Sequence, residues 1–273
     1  MIATLLDCSK AFDKCQFVPL FQKLLHKNLP TVVVRILIFI YTEQDAWVTW
    51  GSERSSTFRI SNGTRQGSVL SPTLFCVYLD ELIIELRKLG LGCYMAGLWM
   101  GACSYADDLL LIAPSRGAMA KMLETCELYA EKHNLQFSTD TDPIKSKSKC
   151  IFMTGTRLRR TPKPANLCLY GVKLPWVVSA THLGHELHQD TNMEFDCKSK
   201  HAQFIQNSTS VRETFKFADP EQVLQVLQAV KVYCCDFYRS MLWDLYGDQA
   251  EQLYRCWNTC VKLSWDVPRS TCG

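Results

Sequence analysis

The chain has 273 residues, 47% of them hydrophobic and 21% charged, with a formal net charge of +3. That balance excludes a disordered tail, a collagen-like repeat or a bundle of membrane spans, and it fits one large globular domain or two unequal ones. Net charge does not by itself indicate a nucleic-acid partner. The stretch from Lys145 to Lys163, however, holds seven basic residues (Lys145, Lys147, Lys149, Arg157, Arg159, Arg160, Lys163) and no acidic one, as a phosphate-facing strip or a solvated loop would.

The opening "MIATLLDCSKAF" predicts a short buried strand, Ile2 to Leu6, that runs directly into Asp7. A chain that starts on a core strand is expected to be a fragment whose neighbouring upstream strands lie elsewhere. Two helices follow around Pro30: Leu20, Phe21, Leu24 and Leu25 mark one face of the first, and residues 31–42 form a nearly all-apolar second. "AWVTWGSERSSTFRIS" alternates as a hairpin does. "SNGTRQGSVLSPTLFCVYLDELIIELRKLG" then gives a glycine-rich loop and a helix. Ser71 is its expected cap, Pro72 its first residue, Phe75, Tyr78, Leu79, Leu82, Ile83 and Leu86 its apolar face, and Gly90 its stop.

Residues 98–113 read as two short strands with Asp107 and Asp108 at the turn between them. A helix from about Arg116 to Asn134, a strand in "KCIFMTG" and a short β region around "THLGHEL" come next. From about Asn192 the pattern is helical. Asp219 and Pro220 open one helix, which closes at Gly247, and "DQAEQLYRCWNTCVKL" begins another. The expected fold class is α+β, with an α+β region over 1–187 and a helical region over 188–273.

Fourteen cysteines are scattered from Cys8 to Cys272 without a CxxC pair, which points to thiols in a reducing, intracellular setting rather than a disulfide framework. His182, His185 and His188 in "THLGHELHQD" recur every third residue, but "HELH" falls one residue short of the i, i+4 zinc spacing, so no zinc is expected. "MIATLLDC" has no basic leader, and "TVVVRILIFIY" is too short for a membrane span and carries Arg35.

The acidic pair in "GACSYADDLLLIA" carries the functional question, because two adjacent carboxylates beside an apolar run cost stability if buried and do little if merely exposed. Carboxylates from the ends of neighbouring strands, Asp7 on one and Asp107 with Asp108 on the other, can converge on hard divalent cations, and Mg²⁺ favours one or two carboxylates completed by substrate phosphates. An acidic turn is the plain alternative for the pair, and a turn or cap residue is the plain alternative for Asp7.

"LLDCSKAFD", "NGTRQGSVLSPTLFCVYLDELI" and "SYADDLLLIA" resemble motifs A, B and C of reverse transcriptases, most closely those of non-LTR (LINE-type) retrotransposons. "HNLQFSTDTDPIKSKSKCIFM" resembles the motif D region, "THLGHEL" the motif E region, and "CWNTCVKLSWDVPRST" the segment after the thumb, so the resemblance covers nearly the whole chain. It implies a right-hand polymerase palm with an antiparallel sheet and packed helices over 1–187, a helical thumb-like region over 188–273, and fingers largely absent. It also implies RNA-directed DNA synthesis from dNTPs on an RNA template and a DNA primer, within the remainder of a parent polyprotein and in a nuclear or cytoplasmic ribonucleoprotein.

The resemblance assigns roles position by position. Asp7 and Asp107 would hold two Mg²⁺ ions, with Mn²⁺ as a substitute, and Asp108 would stand beside them. Phe12 would exclude a 2′-hydroxyl, or else be a core aromatic. Gln66 and Gly67 would approach the incoming nucleotide, Gly67 by leaving room for the backbone. Arg65, Tyr105 and Ser71 would face template and primer, although Tyr105 could equally be a buried tyrosine. Lys145 or Lys147 would protonate the leaving pyrophosphate, or both would be phosphate contacts. An inactive retroelement remnant that binds RNA is the rival reading, and an RNA-templated RNA polymerase is disfavoured by Phe12.

Overall fold

The computed structural model describes residues 1–140, 142, 145–154, 164–190, 194–227, 248–265 and 267–268. They fall into two compact units, Met1–Val178 and Ser179–Gly273.

A run that is apolar on both faces belongs in the middle of a sheet. Ile2, Ala3, Leu5 and Leu6 are all buried in β1 (Ile2–Asp7). The chain leaves through Lys10, in the left-handed region at φ 50°, into α1 (Ala11–Lys14) and α2 (Phe17–His26), which buries Phe17, Leu20, Phe21 and Leu24. Helix α3 (Thr31–Thr42) follows Pro30 and buries only Val34, Leu37 and Tyr41. The predicted hairpin is a nested pair: β2 (Asp45–Ala46) and β5 (Phe58–Arg59) enclose β3 (Thr49–Trp50) and β4 (Glu53–Arg54).

Helix α4 (Ser71–Lys88) buries Leu74, Phe75, Tyr78, Leu79, Leu82 and Leu86, and Gly90 at φ 66° supplies the left-handed stop. Ser71 is not its cap. Leu70 is already in helical backbone, so Ser71 lies inside the first turn, and its buried hydroxyl donates back to the Arg65 carbonyl. A small hairpin, β6 (Tyr94–Met95) and β7 (Leu98–Trp99), precedes β8 (Ala102–Tyr105) and β9 (Asp108–Ala113). Helix α5 (Arg116–Lys132) is capped by the Ser115 hydroxyl, which accepts from the Ala118 amide at 3.2 Å. Then come β10 (Lys149–Phe152), the hairpin β11 (Cys168–Leu169) and β12 (Val172–Lys173), and β13 (Trp176–Val177).

The main sheet has the order β13-β10-β1-β9-β8. The expected antiparallel sheet needs one correction: β13 pairs parallel with β10, so the sheet is mixed. Because β13 begins only after the β11–β12 hairpin, the chain has returned along the sheet before it pairs, which a local turn cannot do. Helices α2, α4 and α5 contribute Leu20, Phe75, Leu82, Met122 and Tyr129 to the core that also takes Ile2, Leu6, Leu109 and Leu111 from the sheet.

The second unit opens with the hairpin β14 (Ser179–His182) and β15 (His185–His188) and continues as α6 (Glu194–Thr214), α7 (Pro220–Val226) and α8 (Asp248–Ser264). Asp219 caps α7 by accepting from the Glu221 amide at 2.9 Å, with Pro220 first, as the sequence predicts. Phe204, Val211, Val223, Leu227 and Cys260 form its core, and Trp257 stacks on Phe204 at 6.1 Å. The expected helix end at Gly247 lies outside the described residues, as do the aromatics Tyr233, Phe237, Tyr238 and Trp243. No helix among the described residues is long and apolar enough to cross a membrane.

Candidate active site

The register of β1 against β9 runs from Ile2 opposite Ala113 to Asp7 opposite Asp108. Side chains directly opposite on antiparallel strands stand about 5 Å apart at Cβ and share one face, and like charges there are destabilising. Four apolar pairs and the buried Thr4 opposite Leu111 therefore precede one acidic pair at the end of the sheet. Tyr105 opposes Asp108 across β8 and β9, which leaves Ala106 (φ 52°) and Asp107 as the connecting two-residue turn. The turn is tied to the exit of β1 by the Cys8 amide, which donates to the Asp107 carbonyl at 3.4 Å. Asp7, Asp107 and Asp108 thus gather at one end of one sheet, each half-buried.

The backbone of Asp7 is held from the other side. Its amide donates to Ser148 Oγ at 3.3 Å, and its carbonyl accepts from the Ser138 amide at 2.8 Å. Its Oδ2 atom is buried and accepts no hydrogen bond, while the Lys147 ammonium stands 3.5 Å away. The segment 145–148 alternates: Lys145 and Lys147 are exposed, and Ser146 and Ser148 are buried. Ser146 Oγ donates to the Ser148 carbonyl, which fixes the root of Lys147. Of the two candidate lysines, Lys147 is the one paired with Asp7.

The loop 63–67 is docked onto α1 by backbone contacts. The Gly63 amide donates to the Cys15 carbonyl and the Thr64 amide to the Phe12 carbonyl, both at 2.7 Å. A Cβ on Gly63 would come within 3.1–3.2 Å of the Asp13 and Phe12 backbone, so this approach requires glycine. Gln66 is exposed and donates through Nε2 to Asp13 Oδ1 at 3.1 Å. At Gly67 a Cβ would meet no other part of the chain within 4 Å, and its φ of 81° is a left-handed backbone that glycine adopts without strain. Arg65 is exposed beside it, whereas Ser71 is buried, its hydroxyl bonded to the Arg65 carbonyl. Phe12 is partly buried, its ring centroid 5.1 Å from that of Phe75. Tyr105 is 68% exposed, so the buried-tyrosine alternative is wrong.

Sequence reasoning missed Asp13, which steadies Gln66, and Ser148, which holds the Asp7 backbone. The signal for Asp13 was present in "AFD", one residue after Phe12, and that for Ser148 in the S-K-S-K alternation. Lys149 lies in β10, while Arg157, Arg159, Arg160 and Lys163 lie outside the described residues.

The donors at this end of the sheet are all carboxylate oxygens, and the buried Asp7 Oδ2 has a lone pair with no hydrogen bond to fill it; both fit a hard divalent cation. No group of three or more His, Cys, Asp or Glu side chains among the described residues is placed to hold a metal ion.

Residues 1–187 match the family model described as reverse transcriptase (RNA-dependent DNA polymerase). Among characterised relatives, the chain is 28% identical to the Retrovirus-related Pol polyprotein from type-1 retrotransposable element R2 of Nasonia vitripennis, over 48% of this chain and 13% of that protein. It is 29% identical to the polyprotein from type-2 retrotransposable element R2DM of Drosophila melanogaster, over 54% of this chain and 14% of that protein. The chain therefore spans about one seventh of these relatives. Among solved structures, apo telomerase from Candida tropicalis, truncated from its C-terminal domain, is similar over 70% of this chain and 34% of that chain, with 11% identity and a TM-score of 0.46. That likeness is too slight to carry a conclusion. The family match over residues 1–187 is decisive, and the chain belongs to the reverse transcriptase (RNA-dependent DNA polymerase) family.

Proposed function

We propose that this chain is the catalytic part of a non-LTR retrotransposon reverse transcriptase, with residues 1–187 as its palm and 188–273 as a thumb-like region. The observation that carries the reading is the alignment of Asp7 with Asp108 across β1 and β9, with Asp107 at the adjoining turn. A primer 3′-hydroxyl attacks the α-phosphate of a dNTP chosen by an RNA template; a new P–O bond forms, the bond to pyrophosphate breaks, and no protein nucleophile takes part. Asp7 and Asp107 would hold the two Mg²⁺ ions, or Mn²⁺ in their place, and Asp108 would support them. When bound, these ions supply neutralisation of charge on the attacking and leaving oxygens.

The chain's own residues position the reactants. Phe12, braced by Phe75, narrows the space for a 2′-hydroxyl. Gln66, held by Asp13, and Gly67 border the nucleotide, and Arg65 and Tyr105 reach template and primer from exposed positions. Lys147, which stands 3.5 Å from Asp7, would give a proton to pyrophosphate, with Lys145 as a phosphate contact. The remainder of a parent polyprotein and an intracellular ribonucleoprotein setting belong to the same reading.

The test is extension of a DNA primer on an RNA template with dNTPs and Mg²⁺. It compares the chain, its Asp107→Asn variant, and both fused to the upstream segment of an R2 relative. Extension that falls at least a hundredfold in Asp107→Asn supports the reading. RNA binding without extension in any of the four proteins would favour the inactive remnant instead.

A further inference from the structure

Asp7 and Asp108 face one another in the register at the end of β1 and β9, a like-charge pairing. At Asp7 a cation of the chain stands close by. Lys147 Nζ lies 3.5 Å from the buried Asp7 Oδ2, the same atom whose lone pair is otherwise unfilled. Two features make this contact exchangeable. The Lys147 side chain is 68% exposed, so its flexible stem can swing into water at little cost, and an ion pair with one exposed partner is weak. Its root, in contrast, is fixed by the buried Ser146 and Ser148, so the ammonium swings from a constant point.

We propose that Lys147 is a built-in counter-cation that occupies the cation position at Asp7 until a divalent metal displaces it. This rests on the reading of Asp7 as a metal ligand. A doubly charged ion outcompetes the ammonium for the carboxylate, and the displaced ammonium is then free for a second anion, the triphosphate that arrives with the metal. Lys147 is therefore a competitor of the metal at Asp7 and becomes available to phosphate only after metal has bound.

Mn²⁺ is the probe, titrated alone into the full chain and followed by the electron paramagnetic resonance signal of the free ion, a readout that needs no polymerase activity. The variants are Lys147→Met, Lys147→Arg, Lys145→Met and Asp7→Asn. Lys147→Met is expected to bind Mn²⁺ about fivefold more tightly than the parent chain, a factor equivalent to about 1 kcal/mol. Lys147→Arg, which keeps the charge, and Lys145→Met are expected to match the parent. Binding that is lost in Asp7→Asn but equal in the parent and Lys147→Met overturns the inference while leaving the metal site standing. Binding that does not depend on Asp7 overturns both.

Discussion

Helices α3 and α4 are both rich in large apolar side chains, yet they use them differently. Helix α4 lays Phe75, Tyr78, Leu82 and Leu86 into the main core, each completely buried. Helix α3 buries Val34, Leu37 and Tyr41 but exposes Val32 at 67%, Ile36 at 54% and Phe39 at 68%. A helix apolar on all sides is normally buried on all sides. Hydrophobic content fixes burial only where a complementary face exists: the sheet, α2 and α5 supply one for α4, whereas among the described residues the chief neighbour of α3 is α2.

The strongest test of that contrast is a truncation in each helix. Phe75→Ala removes a ring that touches Phe12 and Tyr78 in a fully packed site, and it is expected to cost about 3–5 kcal/mol by urea denaturation. A loss below about 1 kcal/mol would mean that α4 is not the anchor described.

Helix α4 is also tied to the end of α5 through charge. Lys23 of α2, almost fully buried, pairs with Glu81 and donates to the Tyr129 hydroxyl at 3.1 Å, and Tyr78 donates to the His133 carbonyl at 2.8 Å. Burial, reinforced by the charges of Lys23 and Lys132 against the opposing pull of Glu81, pushes the His133 imidazole down to about 4 from its usual 6.5. His133 is thus neutral in the fold between those values, while the unfolded chain takes up a proton there. Its contribution is complete above about pH 6.5 and is lost as pH falls to about 4, a decline of up to about 3 kcal/mol. Denaturation of the parent across that window should show the slope, and His133→Phe should flatten it; equal slopes in both would reject the assignment. Glu81, which burial pushes up but the hydrogen bond and charge of Lys23 hold below its usual 4.5, adds its own loss as pH falls below about 4.5.

The smallest effect belongs to α3. Phe39→Ser is expected to change stability by less than about 0.5 kcal/mol, because the ring has few partners to lose. A cost of several kcal/mol would show that α3 is covered after all.

The candidate site was legible where chemistry and short-range pattern coincide. Asp7 at the end of an apolar run, the glycine-rich 63–67 loop and the Asp107–Asp108 pair could all be picked out of the sequence, as could the Asp219–Pro220 helix start. What escaped depends on contacts distant in sequence. That Asp7 faces Asp108 is a matter of register between strands a hundred residues apart, and β13 running parallel to β10 follows from the intervening hairpin. Ser71 was misread for a local reason: Ser-Pro before an apolar stripe has the composition of a helix start, but the chain is already helical at Leu70. That Lys147 stands 3.5 Å from Asp7 depends on the fold, and no spacing supplies it.

The central claim is that the catalytic metals sit where β1 meets the β8–β9 turn, and metal-directed cleavage of the chain tests it without requiring activity. Fe²⁺ is bound in place of Mg²⁺, ascorbate and peroxide are added, and the backbone cuts are mapped by mass spectrometry. The account predicts cuts close to Asp7 and to Asp107 that are suppressed by excess Mg²⁺ and absent in Asp7→Asn. Cuts concentrated around His182 to His188 and indifferent to Asp7→Asn would contradict it.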